Sequence, residues 1–274
     1  MKYLITIILG FLLLGVVPVY AQDIPQQFEG FDLEGYDDNG EKSWDVKGDT
    51  ADIAGDTIVI SNVDANQYRE DDVNLKARTG ILNKASGDIY LKEDVVITSE
   101  TGSRLTTDSL DWKKGDDLVT TDDIVTLTDN GITATGTGLR ASPGLQTAEM
   151  KRDVTVKVNT ESENKDGKIV TITCDGPLEI DQMNNIAVLR ENVVAVQSDT
   201  MLKADRMEVY FDGESQKIKE LICIGNVVVT RGDNQTFSAR AVYDAVTQKV
   251  TLSGRPKMIF VTEGEGSLSS SVKE

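Results

Sequence analysis

An apolar β-type run introduced by Asn or Asp recurs five times along this chain, and no other feature limits its fold so sharply. The copies are Asp94-Val95-Val96-Ile97, Asp123-Ile124-Val125-Thr126, Asp153-Val154-Thr155-Val156, Asn192-Val193-Val194-Ala195 and Asn226-Val227-Val228-Val229. They begin 29, 30, 39 and 34 residues apart (94→123→153→192→226). A weaker echo, Gly254-Arg255-Pro256-Lys257-Met258, begins 28 residues after Asn226. Self-similarity at such periods marks stacked supersecondary units. One unit cannot bury an apolar face alone, so neighbours must stack to close a core.

The clearest copy, residues 223–252, reads as three short strands at 224–230, 236–243 and 249–252. Val, Ile, Thr, Tyr and Phe favour the pleated runs, and Gly, Asn and Asp favour the turns between them. Strict alternation is common elsewhere: Val170, Ile172 and Cys174 fall on one side, Thr171 and Thr173 on the other. After residue 21, no twelve-residue stretch keeps a helical apolar period without a Gly, Asn or Asp break. The chain reads as all-β and repeat-built.

Charge and residue usage remove several classes of function. Lys+Arg number 28 against 46 Asp+Glu, a net charge of −18. Such a surface repels phosphate, which excludes nucleic acid as a partner and argues against docking on a bare anionic membrane. The chain has no histidine, the commonest general base and metal ligand. Acidic groups such as Glu70-Asp71-Asp72, Asp116-Asp117 and Asp122-Asp123 sit in turn-like contexts, where Asp bonds its own backbone. No calcium-loop pattern and no Gly-rich phosphate loop is present. The chain is therefore expected to be no enzyme, with no catalytic residues, no metal site and no cofactor. Cys174 and Cys223, the only cysteines, leave two alternatives open: one disulfide in an oxidising compartment, or two buried thiols.

The ends and one internal stretch organise the rest. Residues 1–21 carry Lys2, an apolar run and small residues before Gln22, the pattern of a cleaved signal peptide. Residues 3–20 also reach the lower length for a spanning helix, so an N-terminal anchor is the rival reading. Either way the remainder leaves the cytoplasm. Residues 28–46 read as a hairpin turning at Asp38-Asn39-Gly40. Residues 159–168, NTESENKDGK, are either a linker between two halves or a long loop. Residues 263–274 are rich in Gly, Ser and Glu and are expected to be a disordered tail.

The string CIGNVVVTRGDNQTFSARAVYD, followed by QKVTLSG, resembles the OstA-like repeat of LptA-type periplasmic lipopolysaccharide transport proteins, over residues 169–262. The string FDLEGYDDNGEKSWDVKGDTADI, with Tyr36, Asn39-Gly40 and Trp44, resembles the LptC-like family, over residues 28–158. The resemblance implies an elongated antiparallel β-jellyroll, a U-shaped trough of repeated short strands. It implies a periplasmic protein that binds lipid A acyl chains and moves lipopolysaccharide, or a similar glycolipid, outward from an inner-membrane ABC transporter. The implied partners are that transporter complex and other OstA-like bridge proteins, joined by edge-strand pairing. The two halves are normally separate proteins, so this chain would be a fused or lengthened bridge segment.

Alternation then assigns the trough walls to Val95, Ile97, Val193, Ala195, Leu202 and Ala204, with Val227, Val229, Phe237, Ala239, Val250 and Leu252. A bulge at Gly225-Asn226 would invert part of this set. Only 5% of residues are aromatic, which suits smooth aliphatic walls. The residues alone leave an alternative open, a cell-surface structural or adhesive β-solenoid with a filled interior and no lipid ligand. An open interior separates the first reading from the second.

Overall fold

The computed structural model describes residues 26–261 apart from residues 38, 69–71, 143, 161–167, 215–216 and 248. Residues 1–21, Glu70-Asp71, most of the 159–168 stretch and residues 263–274 lie outside the described residues. The described chain is strand throughout, with one 3-10 turn at Lys114–Asp116. The first nine strands are β1 (Gln26–Tyr36), β2 (Lys42–Ala54), β3 (Thr57–Gln67), β4 (Val73–Asn83), β5 (Ile89–Ser99), β6 (Arg104–Lys113), β7 (Leu118–Asp129), β8 (Ile132–Ser142) and β9 (Thr147–Thr160). The rest are β10 (Lys168–Cys174), β11 (Leu178–Asp181), β12 (Ile186–Gln197), β13 (Thr200–Phe211), β14 (Ile218–Arg231), β15 (Asn234–Asp244), β16 (Lys249–Ser253) and β17 (Lys257–Ile259).

From β1 to β9 and from β12 to β15 each strand pairs antiparallel with its sequence neighbour, so the sheet is one long meander. β10 and β11 act as one strand broken at Asp175-Gly176-Pro177, and both lie between β9 and β12. β16 and β17 likewise share β15. The expected hairpin forms between β1 and β2, with Leu33 opposite Val46 and Asp37 Oδ1 accepting the N–H groups of Asn39 and Glu41.

The recurring Asn or Asp is a corner, not a strand start. Asp94, Asp153, Asn192 and Asn226 all have left-handed φ, at 55°, 54°, 52° and 45°. The ladder shifts register beside Asp94, Asn192 and Asn226 and then resumes, so one strand continues through the corner. Asp123 lies at a similar shift, between Thr121 and Ile124. Asn and Asp tolerate this backbone region better than other L-residues, and the extra residue bends the strand. The strands are therefore longer than the sequence suggests; the run at 224–230 is the second arm of the 14-residue β14. Just past each corner a valine turns inward: Val95, Val125, Val154, Val193 and Val227 are all at most 1% exposed. Outside, corner side chains tie to the neighbouring strand: Asn192 Nδ2 donates to Asp175 (2.7 Å), and Arg78 Nε to Asp94 (2.6 Å).

Residues directly opposite in a ladder point to the same face, so the register traces rows of side chains across the strands. On one arm a row runs Leu33, Val46, Ala65, Leu75, Ile97 and Leu105, and continues through Leu127, Ala134 and Val156 to Ile172, Ala195, Leu202 and Val229. On the other arm a row runs Leu82, Ile89, Trp112, Val119, Ala141 and Ala148, and continues through Ile180 and Ala187 to Val209, Leu221, Tyr243 and Val250. One buried cluster joins members of both rows from Val73 to Ala241. A small second cluster, Val46, Val63 and Ala65, is flanked by Phe31, Trp44 and Ile60.

Beside that small cluster lies a buried carboxylate. Asp45 is 2% exposed and accepts from Asn66 Nδ2 and the Tyr68 hydroxyl, each at 2.8 Å, and from the Lys42 ammonium at 2.8 Å. Burial pushes its pKa up, but the hydrogen bonds from Asn66, Lys42 and Tyr68 outweigh burial and hold it at about 2.

Cys174 and Cys223 are free and buried, so the disulfide alternative is overturned. Cys174 lies on β10 and Cys223 on β14, with β12 and β13 between them. Three strand spacings separate them by roughly 14 Å along the sheet, too far for a disulfide, whose Cα atoms lie within about 7 Å. Burial pushes both thiols up to about 11.

Candidate binding cavity

Between the two arms, from β7 to β16, the interior holds a cavity of about 610 Å³. Its walls come from both arms of the bent strands. β9 contributes Ala148 before its corner and Val156 after it; β12 contributes Ala187 and Leu189 before, and Ala195 after. β13 places Leu202 on one side and Met207 and Val209 on the other. Small side chains leave part of this space unfilled. Ala134, Ala148, Ala187 and Ala195 line it in the rows that carry Leu105 and Trp112 on β6, and Ala241 and Ala245 line it as well. Asp129 is the one charged lining residue among those described, and it accepts a hydrogen bond from Ser103 Oγ. Gln182, Gln197 and Thr200 lie at strand ends and turns. Cys223 reaches the wall as a neutral thiol, an apolar group at neutral pH.

Such a chamber offers dispersion and apolar burial over a long surface, with polar groups only at its margins. It has no nucleophile paired with a base, and among the described residues no group of three or more His, Cys, Asp or Glu is placed to hold a metal.

Of the walls assigned by alternation, Ala195, Leu202, Val229 and Val250 line the cavity. Val95, Ile97, Val193, Ala204 and Val227 are buried in the joined core, and Leu252 packs against it. Phe237 and Ala239 sit on the other face from Val227 and Val229. Ser238 pairs with Val227 and Thr236 with Val229, so these two point inward, while Phe237 pairs with Val228. The reason lies on β15: Ala241 pairs with the inward Cys223, yet Ser238, three residues before it, pairs with the inward Val227, so β15 changes parity at Ala239-Arg240, opposite the Gly225-Asn226 corner where β14 keeps its own. The first arm of β14 and the second arm of β13 were missed. Met207, Val209 and Phe211 alternate in the sequence as clearly as the chosen residues do, but counting on from Leu202 and Ala204 lands on Arg206 and Glu208, because β13 changes parity at its corner.

Residues 17–159 match the family model described as "Lipopolysaccharide-assembly, LptC-related". Residues 171–272 match a second, described as "LptA/(LptD N-terminal domain) LPS transport protein". No curated protein matches the chain.

Proposed function

This chain belongs to the LptC-related family of lipopolysaccharide-assembly proteins, and from that membership we propose that its cavity carries the acyl chains of lipopolysaccharide. A role in lipopolysaccharide transport follows from the two family matches together. The observation that carries the finer reading is the unfilled chamber between the strand arms, with aliphatic walls and one charged lining residue among those described. An acyl chain that buries about ten methylenes gains roughly 8 kcal/mol before ordering costs, at about 0.8 kcal/mol each. Headgroup recognition is not needed for that gain. Binding through methylenes alone also lets the chains slide from one carrier to the next.

The expected setting is the periplasm, with residues 1–21 directing export and either removed or kept as an anchor. Lipid enters from an inner-membrane ABC transporter and leaves toward the outer membrane. The LptC-like half (28–158) and the LptA-like half (169–262) flank the polar 159–168 stretch and make a bridge segment of greater length than either alone. Both ends of the sheet keep an open edge: among the described strands β1 pairs with β2 alone, and β16 and β17 with β15 alone. Free backbone donors and acceptors along such edges suit pairing with neighbouring carriers. No described helix is long and apolar enough to cross a membrane.

The test is site-specific photocrosslinking of exported protein in cells. A crosslinker at Leu202, which lines the cavity, is expected to capture lipopolysaccharide; one at Lys203, on the opposite face, is not. Equal yields from both, or purified protein that carries no lipid and ignores added lipopolysaccharide, would overturn the reading.

A further inference from the structure

The hollow interior gives way to a filled one at β6. On one arm Leu127 of β7 lines the cavity, and its β6 partner Leu105 is 4% exposed and belongs to the packed core. On the other arm the β6 residue is Trp112, 6% exposed, which stands between Ile89 and Val119 in its row. Both rows of inward side chains continue past β6 to β4, so the same trough runs on through the packed stretch. Lipid that travels the length of the sheet has to pass Trp112.

Two polar atoms weaken this packing. The Trp112 indole N–H is buried with no hydrogen-bond partner among the described residues, and so is the hydroxyl of Thr107. Thr107 is 8% exposed and pairs with the inward Val95, so it faces the same interior. A buried polar group left unpaired keeps its full desolvation cost, and a rearrangement that supplies a partner recovers it. Trp112 is also the last inward residue of β6 before the 3-10 turn at Lys114–Asp116. A Cβ added to Gly115 in that turn meets nothing within 4 Å, so the space beyond the strand end is open.

We propose that Trp112 is a gate, closed in this structure, that rotates out over the strand end and lets acyl chains take its place between β4 and β7. This rests on the acyl-chain reading of the cavity given above. The packed stretch is then a second lipid-binding segment in line with the hollow one. Rotation about χ1 moves the ring while the backbone ladder stays paired. Closed, the indole covers the apolar walls at the cost of its unpaired N–H. Open, the N–H reaches water, and methylenes replace the contacts the ring gives up. Thr107 acts in the same sense from the corner, since its hydroxyl gains a partner only when the packing loosens.

The experiment has two readouts on the full chain. Photocrosslinkers at Leu75, inward on β4, and at Leu202, in the hollow, are compared in exported protein. Both are expected to capture lipopolysaccharide, while Lys76 on the outer face of β4 is not. In purified Trp44→Phe, whose one tryptophan is Trp112, added lipopolysaccharide should shift the emission to longer wavelength as the indole meets water. Two variants should move the Leu75 signal in opposite directions. Trp112→Ala, with the gate removed, should raise capture at Leu75 relative to Leu202. Thr107→Val, the same shape without the hydroxyl, favours the closed packing and should lower that ratio about tenfold. Far-UV spectra with thermal melts establish that each variant is folded. If Trp112→Ala does not fold, Thr107→Val decides alone. Capture at Leu202 with none at Leu75 and no emission shift overturns the gate and leaves the cavity reading standing. Unchanged ratios in the folded variants overturn the gate as well. Capture at neither site overturns the cavity reading and the gate with it.

Discussion

The early and late strands share one backbone plan, with corners, inward valines and two rows of side chains, yet one stretch is filled and the other hollow. From β4 to β7 the row on one arm reads Leu82, Ile89, Trp112 and Val119; from β9 to β12 it reads Ala148, Ile180 and Ala187, which line the cavity. The apex is equally tight in both, since Val95 and Val193 are each 0% exposed. The difference lies in the arms. A single fold thus serves as core or container according to the volume placed at matched row positions.

The strongest way to break this comparison is truncation on each side. Trp112→Ala should cost about 3–5 kcal/mol of unfolding free energy in urea melts. Leu202→Ala, whose side chain already borders empty space, should cost about 1–2 kcal/mol. Equal losses would mean that the chamber is not hollow in solution. Enlargement makes the reverse test. Ala77→Leu, in the packed stretch, should destabilise by about 1–3 kcal/mol through overpacking. Ala195→Leu should cost under about 1 kcal/mol and yet reduce lipid co-purification, because its bulk enters the cavity.

The first three strands sharpen the contrast, since their small cluster is supplemented by the buried Asp45 network. The folded pKa of about 2 lies below the ordinary 3.8, so Asp45 contributes fully above about pH 4 and loses its contribution as pH falls toward 2. That contribution is at most about 2 kcal/mol. Asp45→Asn should flatten the acid limb of a stability-versus-pH profile and leave the profile above pH 4 parallel to wild type. Corner variants test the shared apex. Asp94→Val and Asn192→Val should each cost about 1–2 kcal/mol by forcing a β-branched residue into left-handed backbone, with glycine in either place costing less. Unequal costs would place part of the difference between the two stretches at the apex. The smallest effect is kinetic. A small apolar maleimide should label Cys223, which lines the cavity, faster than Cys174, and bound lipid should remove that advantage.

Strand content and the repeat were legible because alternation and turn chemistry are local. The Asn and Asp of the repeat were legible as punctuation, but their role was not, since a left-handed residue bends a strand and ends one with the same residue types. The parity error at Phe237 and Ala239 has that origin: opposite the Asn226 corner, β15 changes face between Ala241 and Ser238, and a period counted through it lands on the wrong side. The hollow could not be read from the chain at all. It depends on alanines as distant in sequence as Ala134 and Ala241 facing one space, a sum that no window of sequence contains. Cys174 and Cys223 make the same point, since only the strand order shows how far apart they stand.

The meander itself has a consequence for how such a molecule is made and resized. Every described strand finds its partners among the next one or two segments on either side, so the structure can zip up progressively as the chain emerges, with no distant loop to close first. Adding or deleting one hairpin changes the span by about 10 Å without disturbing the rest. Evolution can thus tailor the reach of such a span by whole hairpins, as one lengthens a ladder by adding rungs.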